Sequence, residues 1–169
     1  MELNWIIPLL YAALLVVSIC MSVQVVPEGY EYVIERLGKF HQVLKPGIGF
    51  IIPFADRVRA RVHIAEVTKK IDAEAFDSAD FISFRASARL DFQVVNAPRS
   101  VYQVANLDQS LSQLFTDSLR TELAKVKFAD MNLQRDEIAG ATVSRMLDKA
   151  EGWGLSIKQV TLQTISRDS

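Results

Sequence analysis

Two acidic pairs have residue types and spacing suited to chemistry: Asp77 with Asp80, and Asp136 with Glu137. Paired carboxylates divide general-acid and general-base work when their surroundings push the two pKa values apart. Neither pair has such a setting. Asp77 and Asp80 lie in a loop rich in small residues, and Asp136-Glu137 opens a predicted helix, where acids favour the dipole. The two histidines, His41 and His63, have no cysteine or second histidine at ligand spacing. Gly47-Ile48-Gly49 is a bare G-x-G between prolines that opens no helix, so it reads as a turn. Nucleophile-elbow, zincin and Walker patterns are absent. The residues therefore predict no enzyme, no metal and no cofactor. A net charge of -1 without a basic cluster gives no support for a nucleic-acid partner.

The elements that carry these residues begin with an uncharged run from Leu3 to Val26. As a helix it reaches roughly 36 Å, enough for a bilayer core of about 30 Å with some tilt. Trp5 lies near one end, where an indole prefers the interface. Pro8 falls in the first turns, where its missing N–H costs least. Leu9, Leu10, Leu14, Leu15, Val16 and Val17 supply the apolar surface. A buried core helix, a cleaved signal peptide and a retained anchor compete for this run. The start Met-Glu-Leu-Asn lacks the basic residues of a signal peptide, and the run is long and has no polar face, so the anchor is favoured. Cys20, the one cysteine, lies in the run as a small apolar side chain or an acylation site. Arg36, Lys39, Lys45 and Arg57 follow the run and none precedes it, which favours a cytoplasmic domain on a single-pass anchor.

The remaining 27–169 segment reads as one α+β domain: a mostly antiparallel sheet with helices packed on one side. Three parts follow in order: the anchor (1–26), a membrane-proximal β-rich part (27–95), and a helical part with a closing strand (96–169). Tyr30 to Arg36 and Phe40 to Leu44 make a hairpin around Leu37-Gly38-Lys39. Phe50, Ile51, Ile52 and Phe54 sit in a Pro/Gly loop, either dipping into the bilayer interface or capping the core. From Asp56 to Ile64 the chain alternates, with Arg57, Arg59, Arg61 and His63 on one face. That basic stripe is a solvated face, a lipid-headgroup contact or a contact with an acidic neighbour. Residues 81–95 alternate as a long strand with one wet face. Asn96-Ala97-Pro98 starts a short helix to about Ala105, Asp108 caps a second, and a third spans Leu133 to Glu151. Leu155 to Ile165 is a strand whose apolar phase slips near Gln159, which predicts a bulge.

Four segments carry a resemblance. They are Val26-Pro27-Glu28-Gly29-Tyr30 with Glu35-Arg36-Leu37-Gly38-Lys39-Phe40; Leu44-Lys45-Pro46-Gly47-Ile48-Gly49-Phe50 with Ile52-Pro53-Phe54-Ala55-Asp56-Arg57; Asn96-Ala97-Pro98-Arg99-Ser100-Val101-Tyr102 with Leu119-Arg120-Thr121-Glu122-Leu123; and Gln134-Arg135-Asp136-Glu137-Ile138 with Glu151-Gly152-Trp153-Gly154-Leu155. Together they resemble the stomatin/prohibitin/flotillin/HflK-HflC superfamily, also called Band 7 or SPFH, and the bacterial stomatin-like branch in particular. The chain departs from that pattern at Phe76-Asp77-Ser78-Ala79-Asp80, where the family usually has a Thr/Ser-Lys-Asp segment. The family usually follows this domain with a long Ala/Glu-rich helix, and the sequence stops at Ser169 before one.

The resemblance implies a membrane-bound homo-oligomer, a scaffold that organises membrane microdomains and controls membrane proteases or channels. The expected partners are membrane lipids, further copies of the chain and a membrane-bound protease, on a bacterial inner membrane. The alternative is a small adaptor bound to such a protease or channel. For self-association, Arg57, Arg59 and Arg61 are the expected basic side, and Asp130, Asp136 and Glu137 the acidic side.

Overall fold

The computed structural model describes residues 6–167. The chain divides into two compact units, Met1–His63 and Ile64–Ser169.

In the first unit the uncharged run changes state before it ends. Helix α1 covers Ile6–Ser22, and Val23–Val26 is a strand, β1. Three β-branched residues in four favour the extended backbone there, and a partner strand supplies the hydrogen bonds. That partner is β4 (Gly47–Phe50), antiparallel to β1. A separate three-stranded sheet has the order β3-β2-β5, with β2 at Tyr30–Arg36, β3 at Lys39–Leu44 and β5 at Asp56–His63. The predicted hairpin is β2–β3, turning at Leu37 (φ 49°) and Gly38 (φ 81°). Two successive positive φ values match the twist of a tight hairpin. Val26, Tyr32, Ile34 and Leu44 form a buried cluster, joined by the partly buried Ile51 and Val58. β5 alternates as expected, with Val58, Ala60 and Val62 half-buried and Arg57, Arg59, Arg61 and His63 exposed.

The second unit is an antiparallel sheet of order β6-β7-β8 with helices α2, α3 and α4. β7 (Ser83–Val94) is the predicted long strand, and Phe84, Ala86, Ala88, Leu90, Phe92 and Val94 are buried. β6 (Val67–Asp77) has no counterpart in the sequence reading. It is an edge strand whose buried side chains include Ile71 and Phe76, so its period-2 signal is weak. β8 (Leu155–Arg167) pairs with β7 and shifts register between Asp91 and Phe92, close to the expected slip, and again between Ser87 and Ala88.

Helix α2 spans Ala97–Tyr102, capped by the Asn96 side chain, which accepts from the Arg99 amide. Helix α3 (Leu107–Leu123) is capped by Asn106, not Asp108; Asp108 lies in the first turn. Asn106 wins because its backbone is extended (φ -138°) and its side chain reaches the Gln109 amide. Helix α4 (Arg135–Gly152) buries Ile138, Thr142, Met146 and Ala150. Thr142 is polar but satisfied there, its hydroxyl donating to the Ile138 carbonyl at 2.8 Å. The chain then turns at Gly154 (φ 77°), where a Cβ would meet the Asn96 carbonyl oxygen at 2.5 Å. Only glycine fits that approach.

Candidate membrane-contact surface

The surface is built by alternation. In an antiparallel ladder, residues opposite one another share a face. β1 and β4 pair Val23 with Phe50 and Val25 with Ile48, and all four side chains are exposed. The opposite face of the ladder carries Gln24, Val26, Gly47 and Gly49. Val26 enters the core, and a Cβ on Gly49 would press on Leu44 Cδ1 at 2.8 Å. Gly49 thus lets β4 lie close on the core while the other face of the strand presents apolar side chains outward.

The loop after β4 continues that surface. Ile51 turns inward onto the buried cluster, its amide donating to the Ser22 carbonyl at 2.8 Å. Ile52 and Phe54 turn outward, and Phe54 is 94% exposed with φ 69°. A phenylalanine in the left-handed region costs roughly 1–2 kcal/mol, so neighbouring contacts must impose it. They do. Arg36 donates twice to the Asp56 carboxylate, at 2.6 and 3.0 Å. The same carboxylate accepts from the Ile52 amide at 2.7 Å, and the Asp56 amide donates to the Ile52 carbonyl at 2.9 Å. Hydrogen bonds from the Arg36 guanidinium, then from the Ile52 amide, pull the Asp56 carboxyl down to about 2. The clasp fixes both ends of the loop that displays Phe54.

α1 leads directly into this ladder. Leu9, Leu10, Leu14, Leu15, Val16 and Val17 are 54–69% exposed, so no side of the helix is covered. Its first turn has no acid and its last turn no base. Cys20 is also exposed. Trp5 lies outside the described residues. Among the described residues no helix is long and apolar enough to cross a membrane; the 17 residues of α1 span about 26 Å.

The charged candidates fall in different units. Arg57, Arg59 and Arg61 line β5, and two of them already have contacts there: Arg59 Nε lies 3.5 Å from Glu35, and the Arg61 guanidinium sits 5.2 Å above the Tyr32 ring. Asp130 lies in a short 3-10 turn, Phe128–Asp130, while Asp136 and Glu137 are exposed in the first turn of α4. The acids Asp77 and Asp80 hold a loop together. Asp77 accepts from the Ser83 hydroxyl at 2.7 Å. Asp80 accepts from the Ser78 hydroxyl and from the Phe128 amide, and both bonds hold its carboxyl below the usual range.

Sequence reasoning did not single out Glu122 as a structural charge. It is buried on α3 and accepts from Lys125 Nζ at 2.7 Å and from Arg145 Nε on α4 at 2.8 Å. These bonds, Lys125 first, keep it ionised against its burial. Its place three residues after the buried Leu119 was the available signal. The Arg36–Asp56 clasp had no such signal, because the two residues meet only once β5 pairs with β2 and makes them direct partners at the end of the ladder.

The family model described as SPFH domain / Band 7 family matches residues 24–169. An uncharacterized protein of Mycobacterium tuberculosis is 30% identical over 151 residues, covering 89% of this chain and 39% of that protein. The human protein named stomatin-like protein 2, mitochondrial, is 24% identical over 140 residues, covering 83% of this chain and 39% of that protein. An uncharacterized protein of Schizosaccharomyces pombe is 26% identical over 133 residues, 79% of this chain and 38% of its own. The chain thus spans about two fifths of the length of these relatives.

Proposed function

The chain belongs to the SPFH domain / Band 7 family, and from that premise we propose that it is a membrane-anchored scaffold whose copies associate on the bilayer, organise the surrounding membrane and regulate membrane proteins such as proteases. One observation carries the membrane part of this reading. The apolar surface of α1 is exposed on all sides and runs on into Val23, Val25, Ile48, Phe50, Ile52 and Phe54. A helix apolar all round belongs in a protein core or in lipid. Contiguous apolar surface of that kind marks a contact site. In this reading α1, with the uncharged residues before it, is a single-pass anchor, and the β1–β4 ladder and Phe54 loop rest in the interface. The positive residues after the anchor orient the domain to the cytoplasm.

No relative named above carries an enzyme's name. The acids with the most altered titration, Asp56, Asp80 and Glu122, are occupied by structural hydrogen bonds. Both facts support a scaffold over a catalyst. The test is the mass of the complex extracted in mild detergent, with its components identified. A large assembly of this chain alone supports the scaffold. A small complex holding a second protein in fixed ratio replaces it with an adaptor for that partner.

A further inference from the structure

The sheet of the second unit has one face under the helices and one open face. Lys69 lies on the helix side, opposite the buried Leu90, and its ammonium donates to the Asp108 carbonyl at 3.0 Å. Successive side chains of a strand alternate between faces, so Lys70 is on the open one. There it stands opposite Arg89 on β7, and Arg89 in turn stands opposite Thr161 on β8. Opposite residues share a face. The three strands therefore carry Lys70, Arg89 and Thr161 in one row, the first and last exposed and Arg89 half-buried.

Two features of that row run against sheet stability. Like charges directly opposite one another, with Cβ atoms about 5 Å apart, repel. The Arg89 Nε is also shut off from water without a hydrogen-bond partner, which holds for no other side-chain nitrogen or oxygen among the described residues. A desolvated donor left unpaired costs stability and asks for an explanation. The acids of the sheet do not neutralise the pair. Asp91, one step along the face, accepts from the Thr68 hydroxyl at 2.5 Å, and Asp77 accepts from the Ser83 hydroxyl at 2.7 Å. Asp72 lies in the bulge between Ile71 and Glu74, and no ion pair joins it to Lys70 or Arg89. The acids of this face are thus held by hydroxyls, while its two central cations stand unpaired.

We propose that Lys70, Arg89 and Thr161 form a binding site for a phosphate monoester. The ligand class follows from the number of donors and their charge. One ammonium, one guanidinium and one hydroxyl come from three adjacent strands, and two of them are cationic. A carboxylate brings two oxygens and a single negative charge. A phosphate monoester brings three terminal oxygens and a charge of about -1.5 to -2 at neutral pH, which matches the row on both counts. Lysine and arginine are ordinary phosphate donors. Seated over the row, the phosphate turns one repulsion into two attractions and gives the guanidinium an acceptor. β7 is bonded on both sides, so the sheet itself fixes the donors and no loop has to close. The same oxygens are presented by a small soluble phosphate and by a lipid headgroup.

The experiment uses the full chain, nitrogen-15 labelled, in mild detergent. It follows the arginine Nε–H resonances while inorganic phosphate replaces chloride at constant ionic strength and neutral pH. The resonance missing from Arg89→Gln belongs to Arg89, and it is expected to shift to saturation. Lys70→Gln should weaken the phosphate Kd at least about 10-fold, the loss of one charge-assisted hydrogen bond. In chloride the same variant should raise Tm, because it removes a like charge from the row, and it should lose the rise in Tm that phosphate gives the wild type. An Arg89 resonance indifferent to phosphate overturns the proposal, and so does a Kd unchanged by Lys70→Gln. A lower Tm of Lys70→Gln in chloride would make the lysine a structural residue and overturn it as well. Short-chain phosphatidic acid then separates the two sources. Binding at least about 10-fold tighter than inorganic phosphate, and lost in Lys70→Gln, assigns the site to a headgroup; equal or weaker binding assigns it to a soluble phosphate.

Discussion

The Phe54 loop and the Phe81 loop are the same device placed in different surroundings. In each, a phenylalanine more than nine-tenths exposed sits in left-handed backbone. In each, a carboxylate with a lowered pKa ties the loop to a neighbouring segment: Asp56 to Arg36 and Ile52, Asp80 to Ser78 and Phe128. The difference lies around the ring. Phe54 follows exposed Ile48, Phe50 and Ile52 in the unit that contains α1, whereas Phe81 lies in the other unit, next to Asp80 in a short loop before β7. A broad apolar surface without charge suits a fluid apolar phase. The backbone strain fixes that a ring is displayed, and the neighbours decide to what.

The largest expected effect comes from the broad surface. A chain shortened to begin at Ser22 keeps the carbonyl that Ile51 bonds. In it, Phe50, Ile52 and Phe54 changed together to Asp should lower partition into anionic vesicles by at least about 100-fold, since each buried apolar side chain is worth about 1.5–3 kcal/mol. Sedimentation with vesicles measures this. Phe81→Asp in the same chain should leave partition unchanged. An equal loss from Phe81→Asp would erase the distinction between the loops.

Much of the fold that presents these loops was legible in the sequence, and the reasons for the gaps are physical. β7 announced itself because its one face is wholly buried, and α4 because its period holds for eighteen residues. β1 was hidden at the end of an uncharged run, where hydropathy continues but β-branching takes over. What makes it a strand is β4, a non-local partner. β6 was hidden by its polarity, because an edge strand with lysines, acids and few buried side chains resembles a loop until β7 is set beside it. Of the apolar loop, the exposed-looking composition was visible, but not that Ile51 would part from its neighbours and turn inward. The left-handed φ values of Phe54 and Phe81 had no signal, since glycine is the residue that advertises that conformation and neither position has it.

A middle-sized effect separates the two locks. Both carboxylates titrate below their unfolded values, so each lock is complete above about pH 4 and is lost as pH falls through the folded value. For Asp56 that value is about 2. Asp80 bonds a hydroxyl and an amide, with Lys127 contributing only through its charge, so it protonates first. Pepsin, which acts in acid and cuts beside exposed phenylalanine, should therefore cleave at Phe81 at a higher pH than at Phe54. Asp80→Asn should remove the pH dependence at Phe81 alone. Simultaneous opening of both loops would show that they answer to one global transition and not to their own carboxylates.

The smallest effect tests the strain directly. Phe54→Gly and Phe81→Gly each relieve a left-handed residue, worth roughly 1–2 kcal/mol, and each add glycine's unfolded-state entropy, which offsets about 0.5–1 kcal/mol. Neither ring is packed in the isolated chain, so little contact is lost. The net is a stabilisation of about 0.5–1 kcal/mol at each site, read by chemical denaturation in detergent at a dilution where the wild type is a single subunit. A destabilisation by Phe81→Gly that appears only as protein concentration rises would assign the ring to a contact between copies, whose gain by mass action the variant loses. Phe54→Gly should keep its sign as protein concentration rises. A stabilisation by Phe81→Gly that is indifferent to protein concentration would mean that its strain serves no contact between copies, and the two loops would then differ only in their neighbours and not in their use.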